Sequence, residues 1–372
     1  MHYWTFRLAI YQQHLEAWLN SIKQAAAGLV YLFPMALPAL FLLPLLALGI
    51  LADADTPTNQ FGLTLWGFLL LTHSWVVLQK DGILATPNKY YDASLPVSAP
   101  HRFFITLLVT LYAAHIFIAG PVLLFLFMAL GNIEQLVSQP FTESLYQLFP
   151  IAAVSLLAVL VIVLALYRRY PLFSLILAPL MLMPAMSVFS TPVLVGSWTV
   201  LLITEQILPP VKLRIRWLPA GMLRLFITAD IASPNKGMLR LISLLILLIC
   251  AQVFMQSVAP EASNAAGYLF SFIVGILLAS KLIDTLGVKA QYQHYLNTLP
   301  VSIPQQTAMA VAYSTLYCIP LLATVAWFAT FHFAHWYVLA AIFTATKAGI
   351  LLNRKYFLVF PCCTALGLWW VM

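Results

Sequence analysis

The chain has 372 residues, 63% of them hydrophobic and only 8% charged, with a mean hydropathy of +0.95 and a net charge of +7. A soluble domain needs about 25% charged residues to face water, so this composition excludes a water-soluble globule. The apolar runs are long and lack two-residue alternation, which selects membrane helices over a closed barrel.

Residues 1–23 mix apolar and polar side chains: Trp4, Phe6, Leu8, Ile10, Leu15, Trp18 and Leu19 alternate with Arg7, Gln12, Gln13, His14, Glu16 and Lys23. This pattern predicts an amphipathic helix lying at the membrane surface and no cleavable signal peptide. A spanning helix needs roughly 20 apolar residues. Eleven candidates follow, within a range of ten to twelve: 29–51, 61–78, 103–130, 148–166, 172–188, 192–208, 241–256, 268–282, 307–330, 336–352 and 358–372. The fifth and sixth, split by "FSTP" at 189–192, are open to a re-entrant reading, and the tenth and eleventh are similarly open. The expected fold is an all-α, polytopic integral membrane protein. Cys250, Cys318, Cys362 and Cys363 lie in apolar segments with neither metal-ligand spacing nor a disulfide framework, and read as small buried hydrophobes.

With the amino terminus inside, the loops at 52–60, 131–144, 257–267 and 331–335 face outward. They hold Asp53, Asp55, Glu134, Glu143 and Glu261 and no Lys or Arg. All eighteen basic residues then lie on the inner side, as the positive-inside bias requires. The net charge is thus a topology signal and an attraction to anionic inner-leaflet lipid, not a sign of nucleic-acid binding. The expected location is a bacterial-type inner membrane, crossed many times, with a cytoplasmic amino terminus.

"LPVS" occurs twice, at 95–98 and 299–302, 204 positions apart. Around it Tyr91 matches Tyr295, Ser94 matches Thr298 and Pro100 matches Pro304, and "VTLY" at 109–112 echoes "STLY" at 314–317 after a one-residue slip. Each copy closes an inner loop of about twenty residues that follows a pair of spans. Two halves result, 1–208 and 209–372, arranged as parallel repeats. Locally, Pro96 and Pro300 end any preceding helix. Ser98 and Ser302 are placed to cap the next helix, and Ser302 to Gln305 has capping-box spacing. The restriction on a residue before proline points instead to Ala99 and Ile303 as caps. A plain helix–turn–helix corner accounts for most of these choices.

"SLPVSAPHRFF" and "TLPVSIPQQ", entering the third span of each half, resemble the junction found in membrane subunits of ABC-2-type ABC transporters. The aromatic amino terminus is similar to that family's elbow helix. Two departures stand out. The basic residue after the serine is displaced to Arg102 and absent from the second copy, where Gln305 and Gln306 stand, and the second half is one span short.

The resemblance implies a permease coupled to separate ATPase subunits, in two copies, through two inner loops. The first carries Lys80, Asp81, Lys89, Tyr91, Asp92, Leu95, Pro96 and Ser98; the second carries Lys281, Asp284, Lys289, Tyr295, Leu299, Pro300 and Ser302. The chain has no phosphate-binding loop of its own. It is therefore not expected to be an enzyme or to hold a cofactor, and ATP and Mg would sit on the partner.

Polar groups within spans are costly and often functional. His73, His115, Gln252 and Gln256 are candidates for a pathway, with interhelical packing as the plainer reading of His115. Glu205 and Lys347, near inner helix ends, are expected to snorkel. A wall with few charges suits a hydrophobic or amphipathic cargo, exported by family analogy. The alternatives are an integral-membrane enzyme acting on lipid or polyprenyl substrates, or a membrane scaffold without transport.

Overall fold

The computed structural model describes residues 3–32, 36–53, 56–131, 141–167, 171, 173–182, 188–208, 221–232, 234–257, 260–298, 300–328, 331–353 and 357–371. Every regular element among them is helical, as an apolar solvent demands of a chain that must satisfy its own backbone. The chain divides into two compact units, Met1–Pro210 and Val211–Met372.

The first unit contains α1 (Tyr3–Leu32), α2 (Ala36–Ala52), α3 (Thr58–Ile83), α4 (Lys89–Ser94), α5 (Ala99–Ala113), α6 (His115–Gly131), α7 (Phe141–Tyr167), a π-helical turn (Phe173–Leu177), α8 (Ala178–Leu182) and α9 (Thr191–Ile207). Helix α3 is its centre. All residues from Phe61 to Leu70 are buried, the mark of a helix covered on every side. It packs on α7, α2, α1, α5 and α9. Near its C-terminal end one apolar cluster gathers Tyr11 of α1, Val76 and Ile83 of α3, Ile105 and Val109 of α5, and Ile162 and Ala165 of α7.

The second unit contains α10 (Met222–Ala232), α11 (Pro234–Ser257), α12 (Pro260–Ala279), α13 (Lys281–Gln291), α14 (Gln293–Asn297), α15 (Ile303–Phe328), α16 (Phe333–Leu352) and α17 (Val359–Val371). Helices α12 and α16 form its tightest pair. A Cβ placed on Gly275 would lie 3.1 Å from both Leu339 O and Ile342 Cγ2. Small residues let helices approach closely where lipid supplies no hydrophobic drive.

Each of the eleven expected spans overlaps a helical element among the described residues, but the count of spans is coarser in the structure. Among the described residues, five stretches are long and apolar enough to cross a membrane, or six if the bent pair α5 and α6 is one span. That pair turns by 75° at Ala114. The segments 42–52, 173–182, 239–252 and 359–368 are apolar but shorter. Leu123, Phe127 and Leu130 on α6, and Leu316, Ile319 and Trp327 on α15, point outward. Such faces would be a liability in water and are what lipid tails cover in a bilayer.

Helix α1 packs against α3. Arg7 Nη2 donates to Ile83 O at 2.7 Å, the Tyr11 hydroxyl donates to Gln79 Oε1, His14 packs on Gly82, and Trp18 meets Trp75 edge-on at 5.6 Å. Rising positions on α1 thus match falling positions on α3. The two helices run antiparallel along the C-terminal end of α3.

Candidate functional site

The two proline corners share a frame and differ in which carbonyls they engage. In the first unit a short helix, α4, precedes the corner, and α5 begins at Ala99. In the second, α14 starts at Gln293, 204 positions after Lys89, and α15 starts at Ile303, 204 after Ala99. The Ser94 hydroxyl donates to Tyr91 O at 2.7 Å, and the Thr298 hydroxyl donates to Tyr295 O at 2.7 Å. Arg102 Nη2 donates to Leu95 O at 2.6 Å and to Ala93 O at 3.2 Å. Gln306, its counterpart, donates through Nε2 to Leu296 O and Val301 O, both at 3.2 Å. The carbonyls of Ser98 and Ser302 accept the first helical bonds, from Arg102 N at 3.0 Å and Gln306 N at 2.9 Å.

Ser98 and Ser302 therefore hold the position before the first helical turn, and Ala99 and Ile303 do not. Ser98 is extended (φ −66°, ψ 149°), but its side chain makes no capping bond. At the second corner Gln305 Oε1 accepts from Ser302 N at 3.0 Å, one arm of a capping box. The displaced Arg102 and the uncharged Gln306 thus do related work: each folds a side-chain donor back onto carbonyls at its corner.

Each corner is tied to an amphipathic helix in its own unit. In the first, Asp92 accepts from the Tyr3 hydroxyl at 2.8 Å and pairs with Arg7 at 3.4 Å, while Phe6 lies 5.4 Å from the Tyr91 ring. Burial, and then the bond to Asp92, push the Tyr3 phenol above its ordinary value. In the second, Leu296 stands where Asp92 would be and is buried with Met222 and Phe226 of α10, Ala310 and Tyr313. One corner is fastened by charge and the other by apolar packing.

The remaining loop residues divide into used and exposed. Lys80 Nζ donates to Ala165 O at 2.8 Å. Lys281 is buried, bonded to both Asp230 oxygens at 2.6 Å, with its ammonium 4.3 Å above the Tyr317 ring. Asp284 takes Arg240 at 2.7 Å, and Lys289 donates to Thr307 Oγ1 at 2.7 Å. These groups hold the unit together. Asp81, Lys89, Tyr90, Tyr91, Pro96 and Ser98 are exposed at the first corner, as are Tyr292, Tyr295, Pro300 and Ser302 at the second; Leu95 is half-buried. Leu299 lies outside the described residues.

The chain belongs to DUF6136, described as a family of unknown function, and the match covers residues 1–372. Comparison with curated proteins and with solved structures yields no match.

The expected pathway residues of this family member are scattered. His73 is buried in α3, and neither ring nitrogen has a partner among the described residues. His115 is not central and buried. It opens α6 just after the bend, is exposed, and pairs through Nδ1 with Tyr112 O at 2.8 Å. Gln252 is half-buried on α11 with its Oε1 unpartnered among the described residues, and the side chain of Gln256 lies outside them.

Neither Glu205 nor Lys347 snorkels. Glu205 is buried on α9 and accepts from Phe173 N at 3.1 Å, Ser174 N at 2.9 Å and the Ser174 hydroxyl. It caps the π-helical turn, whose carbonyls accept from the indoles of Trp66 at 2.8 Å and Trp198 at 3.2 Å. Lys347 is buried and donates to the Thr315 and Ser314 hydroxyls at 2.6 and 3.1 Å. Of the cysteines, Cys318 is buried, Cys250 and Cys362 half-buried, and Cys363 exposed.

Proposed function

We propose that this protein is the membrane permease of an ATP-driven transporter, worked by separate ATPase subunits that press on the two proline corners. The observation that carries the reading is the shared frame of the corners, 204 positions apart: the same hydroxyl bond before each corner, the same helix start after it, and a side-chain donor at the same register. A corner needed only to turn the chain has no reason to recur with the same frame. A bilobed partner engaging two equivalent levers does.

Three further features support the reading. Tyr90 is 91% exposed, and Tyr91 and Tyr295 also project outward at the corners; exposed aromatic side chains are the commonest anchors of protein interfaces. Each corner is fastened to an amphipathic helix, so displacement of one moves the other. The halves resemble each other in order as well: an amphipathic helix, two long helices, a short helix, a corner and a further helix, the second half adding α13 before its short helix. This order is what parallel repeats with cytoplasmic corners would produce. The apolar walls suit an amphipathic or hydrophobic cargo.

Tagged full-length protein is purified from its native membrane and assayed for a stoichiometric ATPase. The reading expects one, lost when Tyr90 and Tyr91 are both changed to Ala and weakened when Tyr292 and Tyr295 are. An ATPase that never copurifies, or one indifferent to both double variants, ends the reading.

A further inference from the structure

We infer that the cleft between α1 and the C-terminal end of α3 is a binding site for a lipid with a primary-amine zwitterionic headgroup, of the phosphatidylethanolamine type. The site needs only that the chain lie in a membrane and is independent of the transport reading. The open cleft holds about 310 Å³ and is lined by Tyr11, His14, Trp18, Leu78, Gln79 and Asp81 among others.

Three observations point to a ligand of this chemistry. The first is an unspent donor. Gln79 is 6% exposed, its Oε1 accepts from Tyr11, and its Nε2 has no partner among the described residues. A buried amide nitrogen without an acceptor is costly, and a phosphate or ester oxygen at the cleft would satisfy it.

The second is charge. Asp81 is exposed and is the one carboxylate in the lining, where no Lys or Arg appears. That disfavours an anionic headgroup and suits an ammonium. A primary ammonium donates charge-assisted hydrogen bonds to a carboxylate; a quaternary one has no hydrogen to give.

The third is depth. Trp18 lines the cleft and meets Trp75, and Leu15 and Leu78 complete an apolar wall. Tryptophan concentrates at the headgroup level of a bilayer. The Trp18 face can also attract the ammonium. Gly82 permits the arrangement, since a Cβ there would lie 3.0 Å from His14 Cβ. Ammonium against Asp81, phosphate against Gln79 and acyl chains along the leucines describe one amphiphile lying across the mouth.

The test uses the full chain reconstituted into vesicles of equal phosphatidylethanolamine, phosphatidylglycerol and phosphatidylcholine, extracted gently and weighed intact by native mass spectrometry. Retained phosphatidylethanolamine is expected in preference to both others. Asp81→Asn should lower that preference about tenfold, the effect of one lost contact of roughly 1.4 kcal/mol. Asp81→Glu should restore it, and Trp18→Leu should weaken it. Soluble phosphoethanolamine should not compete. Equal retention of the three lipids, an unchanged preference in a normally melting Asp81→Asn variant, or displacement by soluble phosphoethanolamine overturns the assignment. No ATPase enters the assay, so its failure leaves the transport reading untouched.

Discussion

Arg102 and Gln306 stand 204 positions apart and close their corners in the same way, each folding a side-chain donor onto two backbone carbonyls. The pair shows that the corner needs a donor of suitable reach, not a positive charge. Arg102→Gln should therefore be tolerated, whereas Arg102→Leu should cost about 1–2 kcal/mol by removing two hydrogen bonds to corner carbonyls. Thermal unfolding in micelles distinguishes the two. Gln306 is 3% exposed, so Gln306→Arg should destabilise by burying an unpaired charge.

The Arg7–Asp92 pair joins a 3% exposed guanidinium to a 16% exposed carboxylate. Asp92→Ala should cost about 2 kcal/mol, because Arg7 stays buried with only Ile83 O and Tyr3 to receive it. The equivalent change Leu296→Ala in the second unit should cost a similar amount for a different reason, a cavity beside Phe226. A conservative variant separates them: Asp92→Glu should retain most of the stability lost in Asp92→Ala, because it restores an anion for Arg7.

Alkaline pH should loosen α1. Burial, with Tyr112 nearby, pushes the Tyr11 phenol up to about 12 from its ordinary 10. The folded state holds this proton more tightly than the unfolded chain. The stability it contributes is complete below pH 10 and is lost as pH rises from 10 through about 12. Tyr3 is displaced in the same direction. Tyrosinate absorbance during a pH titration checks this, and Tyr11→Phe should remove a component near pH 12.

Gly275→Ala should prise α12 from α16. The added methyl meets Leu339 O and Ile342 at about van der Waals overlap, and the backbone oxygen cannot rotate away. A cost of about 1–3 kcal/mol is expected, visible as a lowered melting temperature.

Hydropathy alone locates the long helices, because burial in lipid demands apolar length and little else. It also locates the corners, since proline leaves few conformations open. Partnerships between distant positions escape it. Nothing near Asp92 announces Arg7, 85 positions earlier, and nothing near Glu205 announces a π-helical turn that needs a cap. Lys281 and Asp284 read as loop charges, yet both are taken up by ion pairs with other helices. The bend at Ala114 has neither proline nor glycine at the break, so no local breaker signals it. One clue was legible: Arg102 and Gln306 share a register, but their chemical difference hides their common task.

That bend sets the two corners apart mechanically. Downstream of Ser302, α15 runs unbroken for 26 residues, about 39 Å at helical rise. On the transport reading, a push there would reach the far end as a displacement along one continuous helix. Downstream of Ser98 the chain meets a joint after fifteen residues and turns by 75°. The same push would be delivered there as rotation. Two inputs built alike would thus produce unlike outputs, a stroke on one side and a swing on the other.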